Sequence, residues 1–86
     1  MPTSSDVLVV LPAHLHARPA GAVVRAAAPF ASTIELVYGE KSANARGVLG
    51  LMGLGALAGD TVIVRATGDD ADEAAKSVAE VLRTAE

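Results

Sequence analysis

The chain has 86 residues, a formal net charge of −3 at pH 7 and no cysteine. A chain of this length forms one domain and buries about 60–65% of the surface that its unfolded form exposes. It is too short for a TIM barrel or a doubly wound nucleotide-binding fold. Without cysteine it has no disulfide, thiolate nucleophile or iron–sulfur cluster. The acidic balance also argues against nucleic acid as a partner.

No segment has the features of a membrane anchor. The N-terminus lacks the basic region of a signal peptide, and the longest uncharged stretch, residues 47–59, is too short to cross a bilayer. We therefore expect a cytoplasmic protein with no membrane insertion.

Hydrophobic patterning predicts seven elements within one domain that covers residues 1–86. In chain order they are a strand at 6–11, a helix from 17 that ends at Pro29, a strand at 33–38, a short strand at 41–45, a short helix within 47–59, a strand at 61–67 and a helix after Asp70. The stretch 47–59 is rich in glycine, which costs up to ~1 kcal/mol per residue against alanine. Packing must therefore hold that helix.

The first and last helices are amphipathic. Their predicted apolar stripes are Ala20, Val23, Val24, Ala27 and Ala28 in the first, and Ala71, Ala74, Ala75, Val78, Val81 and Leu82 in the last. Asp70 and Glu73 match a variant of the capping box at the start of the last helix.

The order β-α-β-β-α-β-α predicts an α+β fold. Two right-handed crossings around a hairpin give an open-faced β-sandwich, in which three helices cover one face of a four-stranded antiparallel sheet. This architecture hosts many functions and does not identify one.

The candidate site lies where the first strand-to-helix loop meets the first helix. There His16 precedes backbone N–H groups, from Ala17 and Arg18 onward, that have no partner within the helix and carry partial positive charge. Arg18 adds a guanidinium, and Pro19 stiffens the first turn. A neutral imidazole in this place can act as a nucleophile and hold a phosphoryl group. A histidine near a helix start is more often a loop residue without chemistry, and the spacing of Arg18 and Pro19 weakens that alternative.

His14 and His16 also form a His-x-His pair, which supplies two ligands in some metal sites. A transition metal needs a third ligand, yet the chain has no other histidine and no cysteine, and most carboxylates lie in its last third. We predict no metal and no cofactor, with a small metal-binding protein as an alternative to be tested.

The segment from His16 to Ala20, His-Ala-Arg-Pro-Ala, resembles the active-site signature of the HPr family, the histidine phosphocarriers of the bacterial phosphoenolpyruvate:sugar phosphotransferase system. Residues 41–46, followed by 52–55 and Gly59, resemble the second HPr signature, and the order of elements fits along the whole chain. The resemblance implies that His16 accepts a phosphoryl group on Nδ1 from phosphorylated Enzyme I and passes it to sugar-specific IIA components. Arg18 and the N–H groups of Ala17 and Arg18 would hold the phosphate. The protein would be a stoichiometric carrier and not an enzyme.

The resemblance also implies one convex docking face, made by the first two helices and shared by both partners. It maps onto Ala20, Val24, Arg25, Arg46, Val48, Leu49 and Met52. The last three side chains would be ordinary core in another protein, but a short glycine-rich helix cannot bury every apolar side chain. We expect a monomer.

Two positions depart from the HPr pattern. Gly47 stands where many HPr proteins have the serine that a regulatory kinase phosphorylates, so this regulation should be absent. His14 stands where the family commonly has glycine. The alternative function is an HPr-like regulatory protein or specialised carrier, for a dihydroxyacetone-kinase or nitrogen branch, that acts mainly by docking.

The acidic end of the chain is expected to lie away from the docking face. Residues 59–86 hold three basic and seven acidic residues, against four and three in residues 1–58. Neutralising Asp69, Asp70, Asp72 and Glu73 would then leave phosphotransfer nearly unchanged.

Overall fold

The computed structural model describes residues 3–84, and its elements follow the predicted order. They are β1 (Thr3–Val10), α1 (Ala17–Ala27), β2 (Thr33–Tyr38), β3 (Lys41–Asn44), α2 (Val48–Gly53), β4 (Thr61–Gly68) and α3 (Ala71–Arg83). The four strands form one antiparallel sheet in the order β1-β4-β2-β3. The prediction of an α+β open-faced sandwich is confirmed.

The sheet has one covered and one open face because side chains alternate along each strand. Paired residues on the covered face, such as Val9 opposite Val62 and Leu36 opposite Val64, are fully buried or nearly so. On the open face Leu8 is 63% exposed. The core therefore lies between the helices and one side of the sheet.

The helices bury the apolar stripes that the sequence predicts, with differences at their margins. Val24 and Val81 are only partly buried, and Ala28, the residue that follows α1, is exposed. Alanines make up much of the buried surface of α3, which packs against β1 and α1. Small side chains at such contacts let helices approach closely.

The predicted capping box at the start of α3 is wrong. Asp70 is the residue before the helix, but its side chain makes no capping hydrogen bond. Its carboxylate instead accepts hydrogen bonds from the N–H groups of Ala31 and Ser32, both at 2.9 Å, and from the Ser32 hydroxyl. The Ser32 hydroxyl, and after it the Ala31 N–H, hold the pKa of Asp70 below its usual value. The carboxylate therefore binds N–H groups of the loop between α1 and β2 and not those of the first turn of α3.

Within residues 3–84 no helix is long and apolar enough to cross a membrane.

Candidate functional site

His16 is the residue that precedes α1, with extended backbone angles of φ −81° and ψ −173°. The first intrahelical bond runs from the Ala20 N–H to the His16 carbonyl at 3.0 Å, and Pro19 has no N–H to offer. The amides of Ala17 and Arg18 are therefore the two donors of the first turn that lack a partner among the residues described. A helix begins here with two free N–H groups beside the histidine.

The side chains of His16 and Arg18 are both exposed. The His16 backbone N–H donates to the His14 carbonyl at 2.8 Å, whereas the imidazole has no hydrogen-bond partner within residues 3–84. Its ring nitrogens are thus accessible to a reactant from solvent. His16 thus directly precedes the two free amides at the start of α1, and Arg18 lies in the first turn of the same helix.

His14 has two contacts that the sequence did not predict. Its Nδ1 accepts a hydrogen bond from the Ala58 N–H at 2.9 Å, and its ring meets that of His16 edge to face, with centroids 5.3 Å apart and planes 80° apart. Ala58 lies 44 residues along the chain. No local pattern could have indicated this pairing, although a histidine where the family commonly has glycine marked the position.

The loop over residues 54–60 is fastened beside the two histidines. The Leu15 N–H donates to the Ala56 carbonyl at 3.1 Å. At the end of the loop, the carboxylate of Asp60 accepts the Tyr38 hydroxyl at 2.7 Å and the Leu57 N–H at 2.9 Å. These two donors, the hydroxyl first, lower the pKa of Asp60, and the same bond raises the pKa of Tyr38.

The described residues contain no group of three His, Cys, Asp or Glu side chains that could hold a metal ion. The His14 Nδ1 lone pair is already engaged by the Ala58 N–H. A metal bound by both histidines would have to displace that bond or use the other nitrogen of His14.

Helix α2 packs against α1 and exposes part of its apolar surface. Leu49 is 85% exposed and Met52 is 39% exposed, whereas Val48 is partly buried and Leu51 is fully buried. The chain leaves α2 directly into the 54–60 loop, where Leu57 adds a further apolar side chain that is 53% exposed. Leu57 was missed because it lies in a loop, outside any periodic pattern.

On α1 the predicted docking residues separate into surface and core. Val24 is half-buried and Arg25 is exposed, but Ala20 has no exposed area. A side chain with no accessible surface has nothing to present to a partner, so Ala20 is corrected to a core residue. Arg25 lies seven residues after Arg18 and hence on the same helix face. Its Nη1 lies 3.5 Å from the position that a Cβ on Gly21 would occupy.

Arg46 is exposed, as its predicted docking role requires, but it also makes contacts within the fold that the sequence did not predict. Its guanidinium donates to the carbonyls of Ala27, Phe30 and Ser32, at 3.1, 2.5 and 3.2 Å. These carbonyls belong to the last turn of α1 and the loop that follows, where a cation interacts favourably with the helix dipole. The structure gives Arg46 a role within the fold, at the end of α1 opposite to His16.

The fold and the site together define a small α+β protein that presents an exposed histidine at the start of a helix. The groups that can bind a phosphate are the free amides of the helix start and the Arg18 guanidinium. The exposed side chains of Leu49, Met52 and Leu57, here called the apolar strip, belong to α2 and the loop that follows it. Such a site suits brief covalent attachment of an anion and transient docking, because it has no deep pocket to enclose a substrate.

Comparison with known proteins agrees with this class. The family model described as the PTS HPr component phosphorylation site matches residues 3–84. The phosphocarrier protein HPr of Lysinibacillus sphaericus is 42% identical over 74 residues, which make up 86% of this chain and 84% of that protein. The chain belongs to the HPr family of the phosphotransferase system.

Solved structures give the same result at the level of the backbone. HPr-C-His from Thermoanaerobacter tengcongensis superposes with a TM-score of 0.81 at 33% identity, covering 95% of this chain and 92% of that one. An HPr dimer from the same organism gives a TM-score of 0.74 at 38% identity, covering 81% and 80% of the two chains.

Proposed function

We propose that the protein accepts a phosphoryl group on His16 from phosphorylated Enzyme I and passes it to sugar-specific IIA components. It would act in the cytoplasm as a stoichiometric carrier, regenerated by onward transfer and not by release of a product. The observation that carries the proposal is the exposed His16 imidazole, free of hydrogen bonds within residues 3–84, at the start of a helix with two unpaired amides.

The transfer needs only groups that this site contains. The lone pair of the His16 Nδ1 forms a bond to phosphorus while the bond from phosphorus to the donor atom of Enzyme I breaks. Phosphoryl oxygens then lie near the amides of Ala17 and Arg18, which carry the positive end of the helix dipole, and near the Arg18 guanidinium. Transfer to a IIA component repeats the exchange in the opposite sense. One cation and two amides hold the group without a deep, strongly cationic pocket, which keeps onward transfer feasible.

The docking face proposed for both partners now consists of exposed or partly exposed residues only. It comprises Val24, Arg25, Val48, Leu49, Met52 and the added Leu57, with Arg18 at its edge. An apolar strip with arginines at its margin suits weak, exchangeable contacts with an acidic partner surface.

The test is incubation with Enzyme I and phosphoenolpyruvate. We expect one acid-labile phosphoryl group per chain, absent in His16→Ala and transferable to at least one member of a panel of IIA proteins. Persistence of the label in His16→Ala would overturn the assignment. Labelling of His16 without onward transfer to any acceptor would favour a regulatory or specialised carrier that acts through docking.

We also propose that the carrier is a monomer, since its docking face must be free for two partners in turn. Light scattering during size-exclusion chromatography should give a mass near 8.6 kDa. A stable dimer, the state in which one T. tengcongensis HPr is described, would contradict this.

A further inference from the structure

We propose that His14 is a positioning residue for the His16 imidazole, an inference that rests on the proposed phosphocarrier function for its kinetic part. It holds the His16 ring through an edge-to-face contact, while its own ring is held by the Ala58 N–H. No chemical step is assigned to His14 itself.

The need for such a residue follows from the freedom of His16. Its side chain is exposed, and its imidazole makes no hydrogen bond within the part of the chain that the structure describes. Phosphoryl transfer nevertheless requires one ring nitrogen to face the amides of Ala17 and Arg18, because those groups receive the developing charge. Rotamers that turn the ring away are unproductive, so any contact that favours the productive rotamer raises the rate.

The aromatic contact of the His16 ring is with His14. The two centroids lie 5.3 Å apart and the planes cross at 80°, within the range of favourable edge-to-face pairs. A glycine at position 14 would leave the His16 ring without this neighbour.

The His14 ring can serve as a support because its own orientation is fixed. The Ala58 N–H donates to Nδ1 at 2.9 Å, so Nδ1 is unprotonated and the proton of the neutral ring is on Nε2. The loop that carries Ala58 is in turn held by Asp60, whose carboxylate accepts the Tyr38 hydroxyl and the Leu57 N–H. Tyr38 at the end of β2 thus helps to fix the loop, the loop fixes the His14 ring, and the His14 ring contacts the His16 ring.

Two substitutions separate the ring contact from the loop hydrogen bond. In His14→Asn the side-chain oxygen can still accept the Ala58 N–H, but the ring is lost. In His14→Phe the ring stays and the acceptor is lost, and His14→Ala loses both.

The first readout is the side-chain conformation of His16, measured by NMR couplings in the unphosphorylated protein. We expect one dominant rotamer in the native protein, a partial loss of that preference in His14→Phe, and free averaging in His14→Asn and His14→Ala. Long-range 1H–15N spectra should show the His14 proton on Nε2. The second readout is phosphorylation by Enzyme I: kcat should fall by about 2- to 10-fold in His14→Asn with little change in KM, the range expected from an aromatic pair.

A role limited to tying down the loop predicts the reverse order, with His14→Asn equal to the native protein and His14→Phe impaired. That order, or an unchanged His16 rotamer in all three variants, would overturn the proposal. Urea denaturation midpoints verify that each variant is folded. If the native protein is not phosphorylated at all, the proposed function fails, whereas the rotamer measurement still decides whether His14 positions His16.

Discussion

Two leucines of α2 point in opposite directions, and replacing each with alanine separates stability from docking. Leu51 is fully buried in the core, whereas Leu49, two residues earlier, is 85% exposed. Both belong to the same six-residue helix, so the two substitutions change helix propensity equally. Any difference between them must come from the surroundings of the side chain.

The expected losses of folding free energy differ by several fold. Leu51→Ala removes a side chain from a closed core, and comparable substitutions cost about 3 kcal/mol through lost transfer energy and the cavity left behind. In a domain of this size each kcal/mol lowers Tm by about 4–8 °C, so Tm should fall by about 12–24 °C. Leu49→Ala should change stability by no more than about 0.5 kcal/mol, as expected of a surface position.

The measurement is urea denaturation of both variants, followed by transfer kinetics with Enzyme I at a temperature where both are folded. Leu49→Ala should raise KM by about 3- to 10-fold, because docking covers much of an exposed leucine at about 25 cal/mol per Å² of apolar surface. Equal losses of stability in the two variants would refute the assignment of the two faces. An unchanged KM for Leu49→Ala would remove Leu49 from the docking face.

Three further predictions concern contacts within the fold. Arg46→Met should lower the free energy of unfolding by about 1–2 kcal/mol in urea denaturation, because three carbonyls lose a charged donor. The matched control Arg25→Met should change it by no more than about 0.5 kcal/mol. Equal losses in the two variants would contradict the role given to Arg46. The pKa of Asp60 is lower in the folded than in the unfolded state, so the Asp60 carboxylate stabilises the fold fully above pH ~4. This stabilisation is lost as the pH falls through the lowered pKa. The urea midpoint should therefore fall less steeply with decreasing pH in Asp60→Asn than in the native protein. Gly68→Ala should cost about 2 kcal/mol by thermal denaturation, because φ is +147° and the new Cβ would lie 2.5 Å from the Ser32 hydroxyl oxygen. The control Gly50→Ala, whose new Cβ would lie in ordinary contact with the Ala43 Cβ at 3.6 Å, should gain about 0.5–1 kcal/mol, since alanine is the better helix former. A tolerated Gly68→Ala would show that the local backbone moves freely.

The parts of the fold that sequence predicts well are those set by local patterns. The strand at 33–38 agrees with β2 at both ends, since it alternates in burial and is followed by a turn in which Gly39 has a φ of 59°. The start of α1 is also local, because Pro19 is compatible with the first turn of a helix and with little else in a helix. The place of His16 directly before α1 was predictable for the same reason.

The parts that sequence does not predict are contacts between distant segments. The carboxylate of Asp70 reaches Ser32, 38 residues away, and the His14 ring reaches Ala58. Ala20 was assigned to the docking face from a family pattern that carries no information on burial in this chain. A stripe of apolar residues shows which way a helix faces, but not which member of the stripe lies at its edge.

The polar residues whose roles changed have one physical reason in common. Backbone groups at the ends of helices and in loops need partners, and an alanine-rich chain has few polar side chains to supply them. The connection from α1 to β2 illustrates this. The Arg46 guanidinium donates hydrogen bonds to carbonyls of this connection, and the Asp70 carboxylate accepts hydrogen bonds from two of its N–H groups. The sequence had assigned both charges elsewhere, Arg46 to the docking face and Asp70 to a helix cap.

That use of charges changes the electrostatic argument about the docking face. Because the Arg46 guanidinium is bonded to three carbonyls, the proposed docking face keeps Arg18 and Arg25 as its cations, and these lie on one face of α1. The acidic residues expected to be dispensable for transfer reduce to Asp69, Asp72 and Glu73, since loss of Asp70 would release the loop that follows α1. In the proposed docking, attraction for an acidic partner surface would therefore come from two arginines that lie seven residues apart on one face of α1.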